Sequence, residues 1–336
     1  MLNRAQFLKL SGFGTLTMPG GIFFDTLNGD VKNVLLKPKK LKKGDTVALT
    51  APAGIVHDVR DFRRMRNELE LMGFRVVFGE FVRERYGYFA GTDYQRALDL
   101  MRFFDDDSID AILAVRGGWG CSRILPHLDF EVIKTNPKIF CGFSDVTTLH
   151  LAFLKHCGLI TYHGPNGASD WTEITKNSFI KTLMDGEDVV YKPGNDIKTI
   201  MPGRAEGRLV GGNLTILTTS IGTDYQPDLS GSILFVEDIA EPPYKIDRML
   251  THLKRANMLN NLRGFIFGRC TNCAEPRGAN FTIEEVISDH IKPLGIPAII
   301  GKDIGHDPDN LTIPVGLQAI LDADAGTVTA LESTVS

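Results

Sequence analysis

The sequence predicts an α/β protein whose first half is built on a parallel sheet and whose second half is richer in β-structure. Short apolar segments alternate with amphipathic helical segments between residues 41 and 170, as in successive β–α units. Residues 111–115 are apolar throughout, which is typical of a strand covered on both faces. After residue 206 the chain changes to glycine-rich strands and turns, so a second domain is expected.

The elements of the first half follow from periodicity and capping signals. Phe62, Met65 and Leu69 recur at helical spacing after an apolar strand at residues 46–50, and Gly73 is placed to end that helix. The further predicted elements are a strand at 74–78, a helix capped by Thr92 or Asp93, strands at 111–115 and 138–141, and a helix at 146–157.

The second half is separated by a segment rich in proline and glycine. We expect an N-terminal extension (1–40), an α/β domain (41–170), a connection (171–205) and a β-rich domain (206–336). The predicted elements of the last domain are strands at 207–213, 232–236, 265–267 and 298–300, helices at 244–258 and 283–291, and a hairpin at 319–330.

Composition excludes several classes of protein. The 336 residues are 43% hydrophobic and 23% charged, with a net charge of −4, so neither disorder nor a nucleic-acid partner is indicated. No apolar segment approaches the roughly 18 residues of a membrane span. Cys270 and Cys273 form a lone C-x-x-C, interpreted as a small apolar strand end because a zinc site needs two more ligands. No metal or cofactor is expected.

The N-terminal segment admits two interpretations. Residues 3–9 are similar to a twin-arginine export motif, but Ala5 stands where the second arginine belongs. A frayed terminus explains the segment equally well.

Three loops contain residues that folding alone explains poorly. Ser144 lies between a strand and a helix, where a sharp turn can expose a nucleophile, although an N-cap is the alternative. The segment Arg116-Gly117-Gly118-Trp119-Gly120 follows a buried strand, where α/β sheets bind ligands, although a tight turn is possible. His306 lies in a polar loop and is a candidate base or a surface histidine.

Glu237 ends an apolar strand, and its side chain is a candidate for orienting an imidazole. A salt-bridging acid is the alternative, since Asp238 and Glu241 lie nearby.

Together these segments resemble the LD-carboxypeptidase family, which includes muramoyl-tetrapeptide carboxypeptidases and microcin-immunity peptidases. The resemblance covers residues 40–330 in five ordered motifs. They are Arg116-Gly117-Gly118-Trp119-Gly120, Cys141-Gly142-Phe143-Ser144-Asp145 with Thr147 and His150, Gly211-Gly212-Asn213-Leu214, Glu237-Asp238 with its following segment, and Gly305-His306 with Asn310.

The resemblance implies a serine peptidase with Ser144 as nucleophile, His306 as base and Glu237 as orienting acid. The backbone N–H groups of Gly118 and Asp145 would form the oxyanion hole. Arg116, Gly117, Trp119 and Asn213 would contact the substrate, a small peptide or muropeptide. Trp119 stands where tyrosine is common in the family.

The resemblance also implies a flavodoxin-like or amidotransferase-like N-terminal domain and a smaller β-rich swivelling C-terminal domain. A homodimer is expected. The location would be cytoplasmic by resemblance, and periplasmic if the twin-arginine-like segment functions.

The activity implied is release of terminal D-alanine from murein tetrapeptides, without a cofactor. A microcin-immunity-type peptidase that cleaves a peptidyl-nucleotide amide is the near alternative, and extra aromatic side chains in the cleft would favour it. A non-catalytic two-domain binding module is the distant one, and a complete triad argues against it.

Overall fold

The computed structural model describes residues 35–273, residue 278 and residues 281–336. The described chain forms two sheets with helices packed against them. The twin-arginine-like segment at residues 3–9 lies outside the described residues. None of the described helices combines the length and the apolar character that crossing a lipid bilayer requires.

The strands of the described residues have the following bounds. They are β1 (Thr46–Thr50), β2 (Arg75–Phe78), β3 (Ala111–Ala114), β4 (Ile139–Gly142), β5 (Thr161–His163), β6 (Val190–Tyr191), β7 (Lys198–Met201), β8 (Arg204–Asn213), β9 (Ser232–Ile239), β10 (Gly264–Thr271), β11 (Ala298–Ile300), β12 (Ile313–Val315), β13 (Gln318–Asp322) and β14 (Thr327–Ala330).

The helices pack mainly through apolar faces at helical spacing. They are α1 (Val59–Leu71), α2 (Asp93–Asp105), α3 (Cys121–Ile124), α4 (Phe130–Thr135), α5 (Thr147–Cys157), α6 (Glu173–Ile180), α7 (Leu214–Thr219), α8 (Pro243–Arg255) and α9 (Ile283–Ile291). Thr92 caps α2 in a capping box with Gln95, as its sequence position suggests. The predicted helices and strands are confirmed to within a few residues at their ends.

The first sheet has the strand order β12-β5-β4-β3-β1-β2. Strands β1 to β5 run parallel, and their order 2-1-3-4-5 is that of a flavodoxin-like sheet. Strand β12 comes from far along the chain and adds to β5 in the antiparallel direction. The strand order reverses between β1 and β3, so the loops that follow these two strands flank the crevice where such sheets bind ligands.

The second sheet has the order β6-β14-β13-β8-β9-β10-β11-β7. Its centre, β8 to β11, is parallel, and antiparallel strands complete both edges. The predicted connection at residues 171–205 contains α6 and the edge strands β6 and β7. The β-rich second domain is confirmed, and its swivelling stays a prediction.

The core beneath the first sheet supports the strand that leads to Ser144. Phe140 on β4 is fully buried and its ring lies 5.2 Å from that of Phe153 on α5. Truncating a buried phenylalanine to alanine costs about 3–5 kcal/mol. The strand and the helix on either side of Ser144 are therefore held as one rigid unit.

Candidate active site

Ser144 lies on a sharp turn between β4 and α5. Its φ angle is 65°, in the left-handed region that residues with a β-carbon seldom adopt. A short 3₁₀ helix, Ser144–Val146, begins at this residue and leads directly into α5. A strained backbone at a strand–helix turn is a feature of nucleophilic serines. The N-cap alternative loses support, because the side chain of Ser144 caps no backbone N–H here.

Two buried polar side chains fix the residues that precede Ser144. The ring nitrogen Nε2 of His150 lies 2.8 Å from the carbonyl oxygen of Gly142, and Nδ1 lies 2.9 Å from the hydroxyl of Thr161. Burial lowers the pKa of His150 to about 4, so the ring is neutral at pH 7 and donates from Nε2. The backbone N–H of Phe143 donates to Oδ1 of Asn166 at 3.2 Å. The turn is thus held from α5 and from the loop after β5.

The glycine-rich loop after β3 packs directly against this turn. A β-carbon on Gly117 would lie 2.7 Å from Cβ of Ser144, so a larger residue would force the turn to shift. The carboxylate of Asp145 is buried and accepts a hydrogen bond of 2.7 Å from the N–H of Cys121, which joins the two segments. Burial raises the pKa of Asp145. The backbone N–H groups of Gly118 and Asp145 donate to none of the described residues, as an oxyanion hole requires.

Glu237 and His306 form a close pair at the edge of the second sheet. Nδ1 of His306 lies 2.7 Å from Oε2 of Glu237, and the carboxylate is fully buried. The imidazole ring of His306 lies 4.7 Å from the ring of Phe143, which precedes Ser144. The structure therefore places Glu237 and His306 beside the turn that contains Ser144. In the described part of the chain the hydroxyl of Ser144 makes no hydrogen bond to His306, and such contacts often tighten only when substrate binds.

The pKa of His306 is raised above its ordinary value of 6.5. Burial by itself would lower it, but the hydrogen bond to Glu237 and the charge of that carboxylate outweigh burial. This arrangement stabilises the imidazolium ion that forms when a histidine accepts the proton of a serine.

Asn213 holds the acid in place. Its Nδ2 donates to Glu237 at 3.2 Å and to Asp238 at 3.1 Å, and its Oδ1 accepts from the N–H of Ile216 at the start of α7. The residue is only 3% exposed. The prediction that the side chain of Asn213 contacts the substrate is wrong, because both of its amide hydrogens and its oxygen already have partners inside the protein.

A chain of hydrogen bonds connects Glu237 to α5, the helix that follows Ser144. The backbone N–H of Asn213 donates to Oγ1 of Thr147, the first residue of α5, at 2.9 Å. A β-carbon on Gly212 would lie 2.5 Å from that same oxygen, so the glycine permits this close approach. Beside it, burial and the charge of Glu237 raise the pKa of Asp238 to about 6.

Residues on either side of His306 attach its loop to β10. Asp307 accepts a hydrogen bond of 2.9 Å from the hydroxyl of Thr271 and pairs with Arg269 at 2.9 Å. The N–H of Arg269 donates to the carbonyl of Ile304 at 2.7 Å. The end of β10 therefore sets the position of the histidine.

Cys270 and Cys273 are joined by a disulfide at this end of β10. The interpretation as a simple apolar strand end is wrong, because the turn brings the two Cα atoms within 5.4 Å, a separation that a disulfide spans. In the described ranges no cluster of three or more histidine, cysteine or acidic side chains is placed to hold a metal ion.

Of the other predicted substrate residues, Gly117 is buried, whereas Arg116 and Trp119 are at least partly exposed. The guanidinium of Arg116 donates to the carbonyl of Ile55 at 2.8 Å and pairs with no carboxylate of the described chain. Trp119 is 43% exposed. Sequence reasoning missed Asn166 as a supporting residue, although its position in a polar turn after a buried strand was an available signal.

Comparison with known proteins gives the family. A model described as the LD-carboxypeptidase N-terminal domain matches residues 47–164, and one for the LD-carboxypeptidase C-terminal domain matches residues 206–321. A probable murein peptide carboxypeptidase of Bacillus subtilis is 39% identical over 85% of this chain and 91% of its own length.

Two solved structures are similar in fold. The muramoyltetrapeptide carboxypeptidase of Oxalobacter formigenes is 32% identical, with a TM-score of 0.75 over 84% of this chain and 97% of that one. MccF in complex with glutamyl sulfamoyl guanosine is 26% identical, with a TM-score of 0.83 over 90% of this chain and 100% of that one. Together with the matched domains, these relatives show that the chain belongs to the LD-carboxypeptidase family of hydrolases.

Proposed function

We propose that this chain is a serine-type LD-carboxypeptidase that releases the terminal D-alanine of murein tetrapeptides. The observation that carries the proposal is the 2.7 Å contact between His306 and the buried Glu237 beside the strained turn of Ser144. Relatives named as murein peptide carboxypeptidases support the substrate class.

The proposed reaction follows the general scheme of serine hydrolases. His306 accepts the proton of Ser144 as its oxygen attacks the carbonyl of the scissile amide. The N–H groups of Gly118 and Asp145 stabilise the oxyanion of the tetrahedral intermediate. The imidazolium then gives its proton to the departing amine of D-alanine, and water hydrolyses the acyl-enzyme by the same steps.

Arg116 is the proposed partner of the substrate carboxylate. Its guanidinium is half-buried beside Gly117 and pairs with no acid of the described chain. A planar guanidinium can bind a carboxylate through two hydrogen bonds. Arg116→Gln is expected to raise KM more than it lowers kcat, and an unchanged KM would count against this role.

Defined muropeptides with mass readout test the main proposal. The wild-type chain is expected to release D-alanine from a tetrapeptide, and Ser144→Ala to lose activity on the order of 10⁶-fold, as for the serine of subtilisin. A Ser144→Ala chain that still works at a near-normal rate would exclude the mechanism. Covalent labelling of Ser144 by a serine-directed phosphonate excludes the alternative of a non-catalytic binding module.

A peptidyl-nucleotide peptidase is the second candidate. The nucleotide-like ligand of the MccF structure and the exposed aromatic side chains Tyr86, Tyr88 and Trp119 near the site favour it. Parallel assays on a tetrapeptide and on a peptidyl-nucleotide amide decide between the two by their relative kcat/KM.

The compartment and the assembly belong to the proposal as well. The Cys270–Cys273 disulfide favours the periplasmic alternative over the cytoplasmic one, since disulfides persist in oxidising compartments. Cell fractionation of the full chain tests this, and recovery only in the cytoplasm contradicts it. The homodimer is tested by the mass of the purified chain in solution.

A further inference from the structure

Large aromatic side chains are exposed along the carboxyl edge of the first sheet. Tyr86 and Tyr88 lie in the loop after β2 and are 56% and 62% exposed, and Trp119 lies in the loop after β3 and is 43% exposed. We call these three residues the aromatic rim. Several exposed aromatic side chains on loops at one edge of a sheet mark a binding site more often than a single exposed side chain does.

The rim is continuous with the catalytic site through the backbone. The carbonyl of Tyr88 accepts from the N–H of Ile55 at 3.3 Å, and the N–H of Gly54 donates to the carbonyl of Gly117 at 3.2 Å. Gly117 in turn packs against Ser144. The loops after β2, β1 and β3 are therefore joined in sequence by backbone hydrogen bonds, and the last of them packs against Ser144.

The base of the rim is rigid. The guanidinium of Arg123 lies 4.9 Å from the ring centre of the buried Phe89 and pairs with Asp93 at 2.9 Å. The ring of Tyr88 lies 4.4 Å from that of Phe89. A preformed platform of this kind binds with a smaller loss of conformational freedom than a mobile loop would.

The direction of the rim follows from the strand order. His306 contacts Phe143 after β4, and its loop continues into β12 beyond β5, whereas the rim lies on the other side, towards β3, β1 and β2. Three strand spacings of about 4.8 Å separate β4 from β2, roughly 14 Å in all. A substrate that extends away from the catalytic histidine would reach the rim over this distance.

The proposed substrate has a suitable length. Three residues of a tetrapeptide stem precede the scissile bond, and they span about 10–11 Å when extended. In a muropeptide a sugar, N-acetylmuramic acid, is attached at the far end of this stem. Pyranose rings present apolar C–H faces that stack on the flat faces of tyrosine and tryptophan.

We propose that the aromatic rim binds the sugar of a muropeptide and makes the enzyme prefer sugar-bearing tetrapeptides to free ones. The inference rests on the proposed function and deepens it. It assigns to Tyr86 and Tyr88 a specificity role that is separate from the chemistry at Ser144.

A comparison of two substrates tests the rim. The kcat/KM for D-alanine release is measured on a free tetrapeptide and on the same tetrapeptide carrying N-acetylmuramic acid. For the double variant Tyr86→Ala/Tyr88→Ala we expect a loss of about three- to tenfold on the sugar-bearing substrate, the range of one stacked ring, and none on the free peptide. The variant Tyr86→Phe/Tyr88→Phe keeps the rings and should retain the wild-type preference for the sugar-bearing substrate. Leu71→Ala, which truncates an 81% exposed side chain at the end of α1, is the matched control.

The other outcomes overturn the inference. An equal loss on both substrates means that the tyrosines act on the peptide or on the fold, and no loss on either means that they bind nothing. A loss confined to a peptidyl-nucleotide amide, assayed in parallel, would make the rim a platform for a nucleobase instead. If the wild-type protein releases D-alanine from neither murein substrate, the proposed function fails and the sugar site fails with it. This outcome is measured on the wild type alone, so it can be distinguished from a failure of the rim, which is measured on the variants.

Discussion

Replacing Gly117 by alanine probes how closely the glycine-rich loop must approach the nucleophile. The φ angle of Gly117 lies outside the left-handed region, so alanine can adopt the backbone and only its methyl group matters. That methyl would lie 2.7 Å from Cβ and 3.0 Å from Oγ of Ser144, and 3.2 Å from the N–H nitrogen of Asp145. Carbon atoms in contact are about 3.5–4.0 Å apart, so the turn must move by about 1 Å.

A displacement of this size should lower mainly the kcat of the enzyme. Misplacing a reacting group by about 1 Å can cost on the order of 10²-fold in rate, so kcat for D-alanine release should fall roughly 100-fold in Gly117→Ala. Thermal unfolding of the same sample shows whether the protein remains folded. Gly264→Ala is the control, because its methyl would meet Cδ2 of Leu321 at 3.0 Å, in the second domain. Equal kcat values in wild type and Gly117→Ala would refute the proposed packing of loop against nucleophile.

Three further predictions concern the acid, the histidine and the disulfide. Glu237→Gln keeps the shape of the acid but removes its charge, so kcat should fall on the order of 10⁴-fold, and a near-normal kcat contradicts the triad. Because the pKa of His306 is raised above 6.5, the imidazolium persists to higher pH and cannot act as base. The kcat/KM should therefore drop as pH falls through that pKa, and a profile that is flat from pH 6 to 9, measured in steps of about half a unit, argues against His306 as the base. Closing the four-residue loop between Cys270 and Cys273 should stabilise the fold by about 2 kcal/mol. Reductant should lower the unfolding free energy of the wild type by this amount, and Cys273→Ser should not respond to it.

The sequence was sufficient for the parts of the fold that depend on local pattern. Strands β1 to β4 and helices α1, α2 and α5 could be predicted because the strands are mostly apolar and the helices carry buried apolar residues at helical spacing. The short helices α3 and α4 were not predicted. The close pair of Glu237 and His306 could be anticipated only through the order of the five motifs. No spacing rule connects two residues that are 69 positions apart.

Contacts between distant segments could not be predicted from the local sequence pattern. The family resemblance assigned Asn213 to the substrate, yet its amide faces inward to Glu237. Nothing local distinguishes an amide that faces a ligand from one that faces a neighbouring strand. The disulfide was missed for a similar reason, since C-x-x-C closes only when the turn after β10 brings the cysteines together.

Strand β12 has a consequence for any attempt to divide the protein. Residues Ile313–Val315 complete the edge of the first sheet, although the chain returns at once to the second sheet with β13. A fragment ending near residue 205 would lack this edge strand and leave β5 unpaired on that side. We therefore expect separately produced halves to be poorly soluble, and co-expression to recover folded material where each half alone does not. A cut within the hairpin turn between β13 and β14 should be tolerated far better than a cut near residue 205.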